Sequence, residues 1–260
     1  MLRIPNPGSK IDIFVRIFRD LHAVLKDKTD FDLEEMKRAL VETNNVASQG
    51  AFGKEALRRS FHKDKSRDRI YNQAKMYAEL YRTLGWLQST SSALRYAFSW
   101  LGEHVACTHD PKPLTVECLL GMSYPNDVLG VRGNHSVRVF PAILKTAAVL
   151  GGRITRDEMI VGPLSIQDDR DSSSFFAMIA MLKRCRTEPG RMKAEIAALS
   201  DIRKISPVTM ENYTRFPIAA VQWAGWCEKT SKSALTLTAE GKATIEALCR
   251  FQWKLTSQQT

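Results

Sequence analysis

The sequence predicts a mainly α-helical fold with small β-hairpin wings, arranged as two tandem winged-helix-type domains. Three observations carry that expectation. Apolar residues recur at helical spacing between capping residues through much of the chain. A short apolar strand, a Ser/Thr turn and a return strand follow the helices of the first half. The same strand-turn-strand-helix segment recurs near the C-terminus. The 260 residues are enough for two small domains, each with its own core.

The elements of the first half follow in order. Arg3, Pro5, Pro7, Gly8 and Lys10 read as an extended basic arm. From Ile11 to Lys26, the positions Ile13, Phe14, Ile17, Phe18, Leu21, Val24 and Leu25 share a helical face. Asp32 is placed to cap a second helix from Leu33 to about Val46, with Glu34 and Glu35 at the positive end of its dipole. Gly50 and Gly53 bound a short third helix, about Lys54 to His62. The polar stretch His62–Arg69 opens a longer helix that carries Ile70, Ala74, Tyr77, Ala78, Tyr81 and Leu84 on one face. Trp86-Leu87-Gln88, the turn Ser89–Ser92 and the alternating Leu94–Phe98 make a hairpin, and Leu101-Gly102 begin a closing helix.

His109-Asp110-Pro111-Lys112-Pro113 is expected to break any helix and to link the halves, which divides the chain into domains 1–110 and 111–260. A loop is expected from Ser123 to Gly133, then an apolar helix from Val137 to Leu150 stopped by Gly151-Gly152. Ile154-Thr155 reads as a short strand, and Thr155 with Glu158 as a capping box. Helices near Gln167–Arg186 and Pro189–Leu199 lead to one from Pro207 to Ala224. Trp226–Glu228, the turn Lys229–Ser233, Leu235–Leu237 and a last helix from Ala239 to about Phe251 then repeat the earlier grammar. Gly85-Trp86 matches Gly225-Trp226, and Gly102 matches Gly241, at spacings of 17 and 16 residues.

Charge narrows the partner. Thirty-eight Lys and Arg stand against 28 Asp and Glu, a net of +10, which favours a polyanion, with nucleic acid first and an anionic membrane second. No run of about 18 apolar residues exists to span a membrane, and the N-terminus lacks the apolar core of a signal peptide, so a cytoplasmic protein is expected. The cysteines Cys107, Cys118, Cys185, Cys227 and Cys249 are widely spaced, without a C-x-x-C pair. They are expected to be mostly core residues rather than a zinc site or disulfide framework.

Lys54–Arg82 holds nine Lys or Arg against four Asp or Glu, half of the net charge, where a winged helix places its recognition helix. Lys54, Arg58, Arg59, Lys63, Lys65, Arg67, Arg69 and Lys75 are candidate phosphate or guanine contacts, and Tyr71, Asn72 and Gln73 candidate base contacts, because Arg can bond guanine and Asn or Gln adenine through two atoms at once. The equivalent helix start in the second half carries Arg203, Lys204, Thr209, Asn212, Tyr213 and Arg215, and Arg3 and Lys10 could reach a minor groove.

No catalytic or metal-binding constellation emerges. Glu35-Met36-Lys37 and Glu240-Gly241-Lys242 have the Glu-x-Lys form of metal-dependent nucleases, but neither has a Pro-Asp pair at a suitable distance upstream. His62-Lys63-Asp64-Lys65 lacks the His-x-Lys spacing of a phospholipase-type nuclease, the histidines are scattered, and there is no Gly-rich phosphate loop.

Several segments resemble the recognition region of type IIS restriction endonucleases of the AlwI-like and BpuJI-like kinds and related nicking enzymes. These are Ser66-Arg67-Asp68-Arg69 with the helix into Gly85-Trp86, Phe98–Ala106, Val137–Leu144 with Gly151-Gly152, Ile154-Thr155 and Glu158, and Asn212–Phe216 up to Leu235–Leu237. The resemblance implies a monomeric, prokaryotic, two-winged-helix module that finds a short asymmetric site in double-stranded DNA. It also implies a Mg²⁺-dependent nuclease domain C-terminal to that module and missing from this chain, which itself needs no cofactor. A winged-helix transcriptional regulator is the alternative, and a helical adaptor for acidic proteins a third reading.

Overall fold

The computed structural model describes residues 1–257 except Pro7, Ser9, Gln49, Ser92, Ala93, residues 125–135 and Lys232, with side chains to Cys249. The described chain is mainly α-helical with small antiparallel sheets, and it divides into two compact units. One contains Pro5–Cys118; the other joins Met1–Ile4 to the described residues from Leu119 onward.

In the first unit, α1 (Ile11–Leu25) buries Phe14, Ile17, Phe18 and Leu21, the stripe its periodicity marks. A two-residue strand, β1 (Phe31–Asp32), was not legible in the sequence, since two residues show no alternation. Asp32 then caps α2 (Leu33–Glu42): the Glu35 N–H donates to its carboxylate at 2.8 Å, and the Asp32 N–H donates to Glu35 at 2.9 Å. Helix α2 ends short of the expected Val46 because Asn44 turns into the left-handed region at φ 56°, which asparagine tolerates. Helix α3 (Gly53–Ser60), a single 3₁₀ turn at Lys65–Arg67 and α4 (Arg69–Thr83) follow, and α4 packs on α2. Then come β2 (Leu87–Ser89), β3 (Arg95–Phe98) and α5 (Trp100–Cys107), with β3 central between β1 and β2.

Helix α6 (Lys112–Gly121) carries the chain from one unit to the other. Pro111 and Pro113 were expected to break a helix there; instead they sit at its start, where a missing N–H costs nothing, and the Lys112 N–H donates to the Asp110 carboxylate at 3.0 Å. In the second unit, β4 (Ser123–Tyr124) pairs with β5 (Val137–Arg138), so the expected helix from Val137 begins as a strand and the expected loop begins as one; the rest of that loop lies outside the described residues. The order continues α7 (Val139–Val149), β6 (Arg153–Thr155), α8 (Arg156–Val161), α9 (Ser172–Thr187), α10 (Arg191–Arg203), α11 (Pro207–Trp223), β7 (Cys227–Lys229), β8 (Ala234–Leu237) and α12 (Ala239–Ser257). Strand β8 lies between β6 and β7, the same order as in the first unit.

The two units are built alike down to single atoms. Trp86 and Trp226 are both fully buried, each after a glycine at positive φ. The Trp86 carbonyl accepts from the Ser99 N–H and the Trp226 carbonyl from the Thr238 N–H, both at 3.0 Å. Ser99 and Thr238 in turn receive the N–H of Gly102 and Gly241 at 2.9 and 3.0 Å. A Cβ on either glycine would lie 2.1 Å from the tryptophan carbonyl oxygen, which explains why both positions are glycine. Capping boxes recur too, Asp32 with Glu35 before α2 and Thr155 with Glu158 before α8. Between the matched helices the first unit has the short α3 and the 3₁₀ turn, and the second has the longer α9 and α10.

The expectation that the cysteines are core residues fails for most of them. Only Cys227 is buried, and burial pushes its thiol up to about 12; Cys118 and Cys185 are half-buried, and Cys107 and Cys249 are exposed.

Candidate nucleic-acid interface

The start of α4 is held by a buried polar cluster that sequence reading missed. Asp68 is its N-cap, accepting from the Tyr71 N–H at 2.9 Å. The same carboxylate takes the Lys37 ammonium of α2 at 2.5 Å and the Ser60 hydroxyl, while the Ile70 N–H donates to Ser60 at 3.1 Å. Side chains of Lys37 and Asp68 are 7% and 4% exposed, so this ion pair is shielded from water. Burial pushes the Asp68 carboxyl upward, but the bonds from Lys37, Ser60 and the Tyr71 N–H outweigh it and hold the group below its ordinary value. Lys37 supplies the Lys of the Glu-x-Lys sequence, and Glu35 is spent on capping α2 and on Lys28 at 2.7 Å, so neither group faces a shared metal position.

Because Asp68 faces inward, Arg69 does not pair with it. Arg69 is exposed and has no ionic partner among the described residues; the same holds for Lys54, Lys63 and Lys75. Other candidates are engaged. Arg58 and Arg59 both reach Glu55 at 2.8 Å. Lys65 pairs with Glu34 at 3.1 Å and lies 5.0 Å over the Tyr71 ring, and Arg67 is 3.7 Å from Asp64. The Asn72 amide donates to the Ser66 carbonyl at 2.7 Å, and Gln73 bonds Tyr77. Arg82 lies over the Tyr96 ring at 5.4 Å, joining α4 to the wing strand β3.

In the second unit the expected cluster is divided. Arg203 ends α10, and Lys204 follows it in the left-handed region at φ 54°. Ser206 caps α11, accepting from the Thr209 N–H at 3.2 Å. Thr209, Asn212 and Tyr213 are half-exposed and Arg215 is exposed on α11. The arm also departs from expectation. Leu2 and Ile4 are buried, and the Leu2 N–H donates to the Leu164 carbonyl at 2.5 Å, because alternation places two apolar side chains inward while Arg3 faces out. Burial, and then the positive charge of Arg203, push the Met1 amine down to about 6. Lys10 is exposed at the start of α1.

Counting back from the paired glycines gives a correspondence that was available in the sequence. Lys75 and Arg215 each lie ten residues before Gly85 and Gly225, and Asn72 and Asn212 each lie thirteen before. Each unit therefore presents an asparagine and, one turn on, a cation on the helix that precedes its wing.

The geometry defines a mainly α-helical chain with two winged-helix-type units, the first of them carrying the basic stretch Lys54–Arg82. Its fold is similar to that of the BpuJ1 endonuclease binding domain, solved in complex with pyrene- and phenanthrene-modified DNA. The match has a TM-score of 0.55 and 12% identity, over 96% of this chain and 85% of that one. No protein-family model and no curated protein matches the sequence. Among the described residues no helix is long and apolar enough to cross a membrane.

Proposed function

We propose that this chain is the DNA-recognition region of a type IIS-like restriction endonuclease, binding a short asymmetric site in duplex DNA as a monomer inside the cell. The observation that supports it best is the twinned Asn and cation one turn apart on α4 and α11, in a fold similar to an endonuclease binding domain. Two related but unlike readers suit an asymmetric site, since Arg69 and Thr209 occupy the matching position ahead of the two asparagines. Lys54, Lys63, Lys75 and Arg215 serve phosphates, and Arg69 reads a base edge. Asn72 reads a base only by giving up its bond to Ser66, so it is a reader of second rank. Cleavage belongs to a Mg²⁺-dependent domain of a longer parent.

Selection from a random duplex library, followed by competition binding of the selected and random DNA, tests this. Arg69→Ala is expected to weaken the selected site by ~1–3 kcal/mol and to leave random DNA nearly unchanged. Lys75→Ala should weaken both alike and make the salt slope shallower by about one. Arg58→Ala should do less than Lys75→Ala, because Glu55 already occupies that guanidinium. Failure to select any sequence, or a binding constant indifferent to salt, overturns the proposal; selection of a palindrome points to a dimeric regulator instead.

A further inference from the structure

Three metal-ligating side chains converge on the side of the first unit built from α1 and α5. His22 is in the last turn of α1, and Glu103 and Cys107 lie one turn apart on α5, so both face the same way. Their donor atoms all lie within 4.8 Å of one another, and the His22 Nε2 and a Glu103 oxygen are 2.5 Å apart. The His22 side chain is 9% exposed, with the Phe98 ring edge-on at 4.9 Å, so its direction is set by packing. Glu103 is half-exposed and Cys107 exposed, which leaves the site open to an ion from solution. The two helices are held in register beside it by the Arg19 side chain, which donates to the Ala106 carbonyl at 3.0 Å.

We propose that His22, Glu103 and Cys107 bind a zinc-class divalent cation that clips α1 to α5. One imidazole nitrogen, one carboxylate oxygen and one thiolate form the mixed donor set such ions take, with water completing the tetrahedron. Tetrahedral bonds to these donors place the ligand atoms about 3.3–3.6 Å apart. The cluster reaches that spacing by modest rotation of the two outer side chains, opening the His22–Glu103 contact and drawing the thiol in. Binding releases the Cys107 proton to solvent, together with any proton held between His22 and Glu103. A dication, a thiolate, a carboxylate and a neutral imidazole then sum to zero charge, so the ion is accepted although the chain as a whole is basic. The clip joins the helices that open and close the first winged helix, adding to the Arg19–Ala106 hydrogen bond between them.

The test uses the full chain stripped by chelator and titrated with Co²⁺. The expected result is one ion per chain with tetrahedral visible bands and a near-ultraviolet thiolate-to-cobalt charge-transfer band. Cys107→Ser should abolish the charge-transfer band and Cys249→Ser should keep it. Cys107 is exposed, so its replacement leaves packing intact. Zinc should displace cobalt, and at a hundred times its dissociation constant should raise Tm by about 5–10 °C in the native chain and not in Cys107→Ser. A charge-transfer band that survives Cys107→Ser, no band at all, or an unmoved Tm overturns the proposal and leaves a plain His–Glu contact.

Discussion

Asp68→Ala is expected to destabilise the first unit by about 3–5 kcal/mol, the cost of stranding a buried cation. The Lys37 ammonium is 7% exposed, with Asp68 at 2.5 Å; the Glu34 carboxylate that would remain is farther, at 3.7 Å, and is shared with Lys65, so it compensates the lost carboxylate only in part. The substitution also removes the α4 N-cap and the acceptor for Ser60. Replacing both charges together, with Lys37→Met and Asp68→Leu, should recover most of the loss, because the penalty belongs to the unpaired ion rather than to absence of the pair. Urea unfolding of the two variants checks this. A loss below about 1 kcal/mol for Asp68→Ala would mean that water reaches the ammonium.

The pH dependence follows from the same carboxyl. Its pKa in the folded chain lies below the ordinary carboxylate value, so its contribution is fully present above that ordinary value. The contribution fades as pH falls through the folded value, and in Asp68→Asn this part of the acid sensitivity should vanish. Glu158, held low against its burial by Arg186 at 2.6 Å, makes the second unit acid-sensitive in the same direction.

Gly102→Ala and Gly241→Ala are expected to cost more than about 3 kcal/mol each, at or beyond the upper end of ordinary overpacking. The added methyl would meet the Trp86 or Trp226 carbonyl oxygen at 2.1 Å, and that oxygen cannot swing aside without giving up the N–H of Ser99 or Thr238. Gly121→Ala is the control: a Cβ there meets nothing within 4 Å, and φ is not in the left-handed region. Thermal unfolding should show a drop in Tm for the first two variants and none for the control. Matched losses at Gly102 and Gly241 would show that the two copies share an energetic design as well as a shape.

Both predictions rest on contacts of different reach, and this separates what was legible from what was not. The helices, their caps and the doubled hairpin could be read from the sequence. Asp32 with Glu35 and Thr155 with Glu158 satisfy each other three residues apart, and the apolar stripe of α1 repeats every turn, so chain spacing alone carries them. The glycine–tryptophan pairs likewise recur at matched spacing and mark equivalent helices. Strands β1, β4 and β5 were not legible, since two residues have no period and exist only because a distant strand pairs with them. Neither was the partnering of charge. Asp68 sits in a run of cations, yet it turns inward to Lys37, 31 residues away, and this leaves Arg69 facing solvent. His22 meets Glu103 across 81 residues, and Leu2 bonds Leu164, which lies beyond the whole first unit in the sequence. Composition supplied the charge and its location; only close packing decided which charges are buried in pairs and which stay free, because desolvation penalises every arrangement except those in which each buried ion finds a partner.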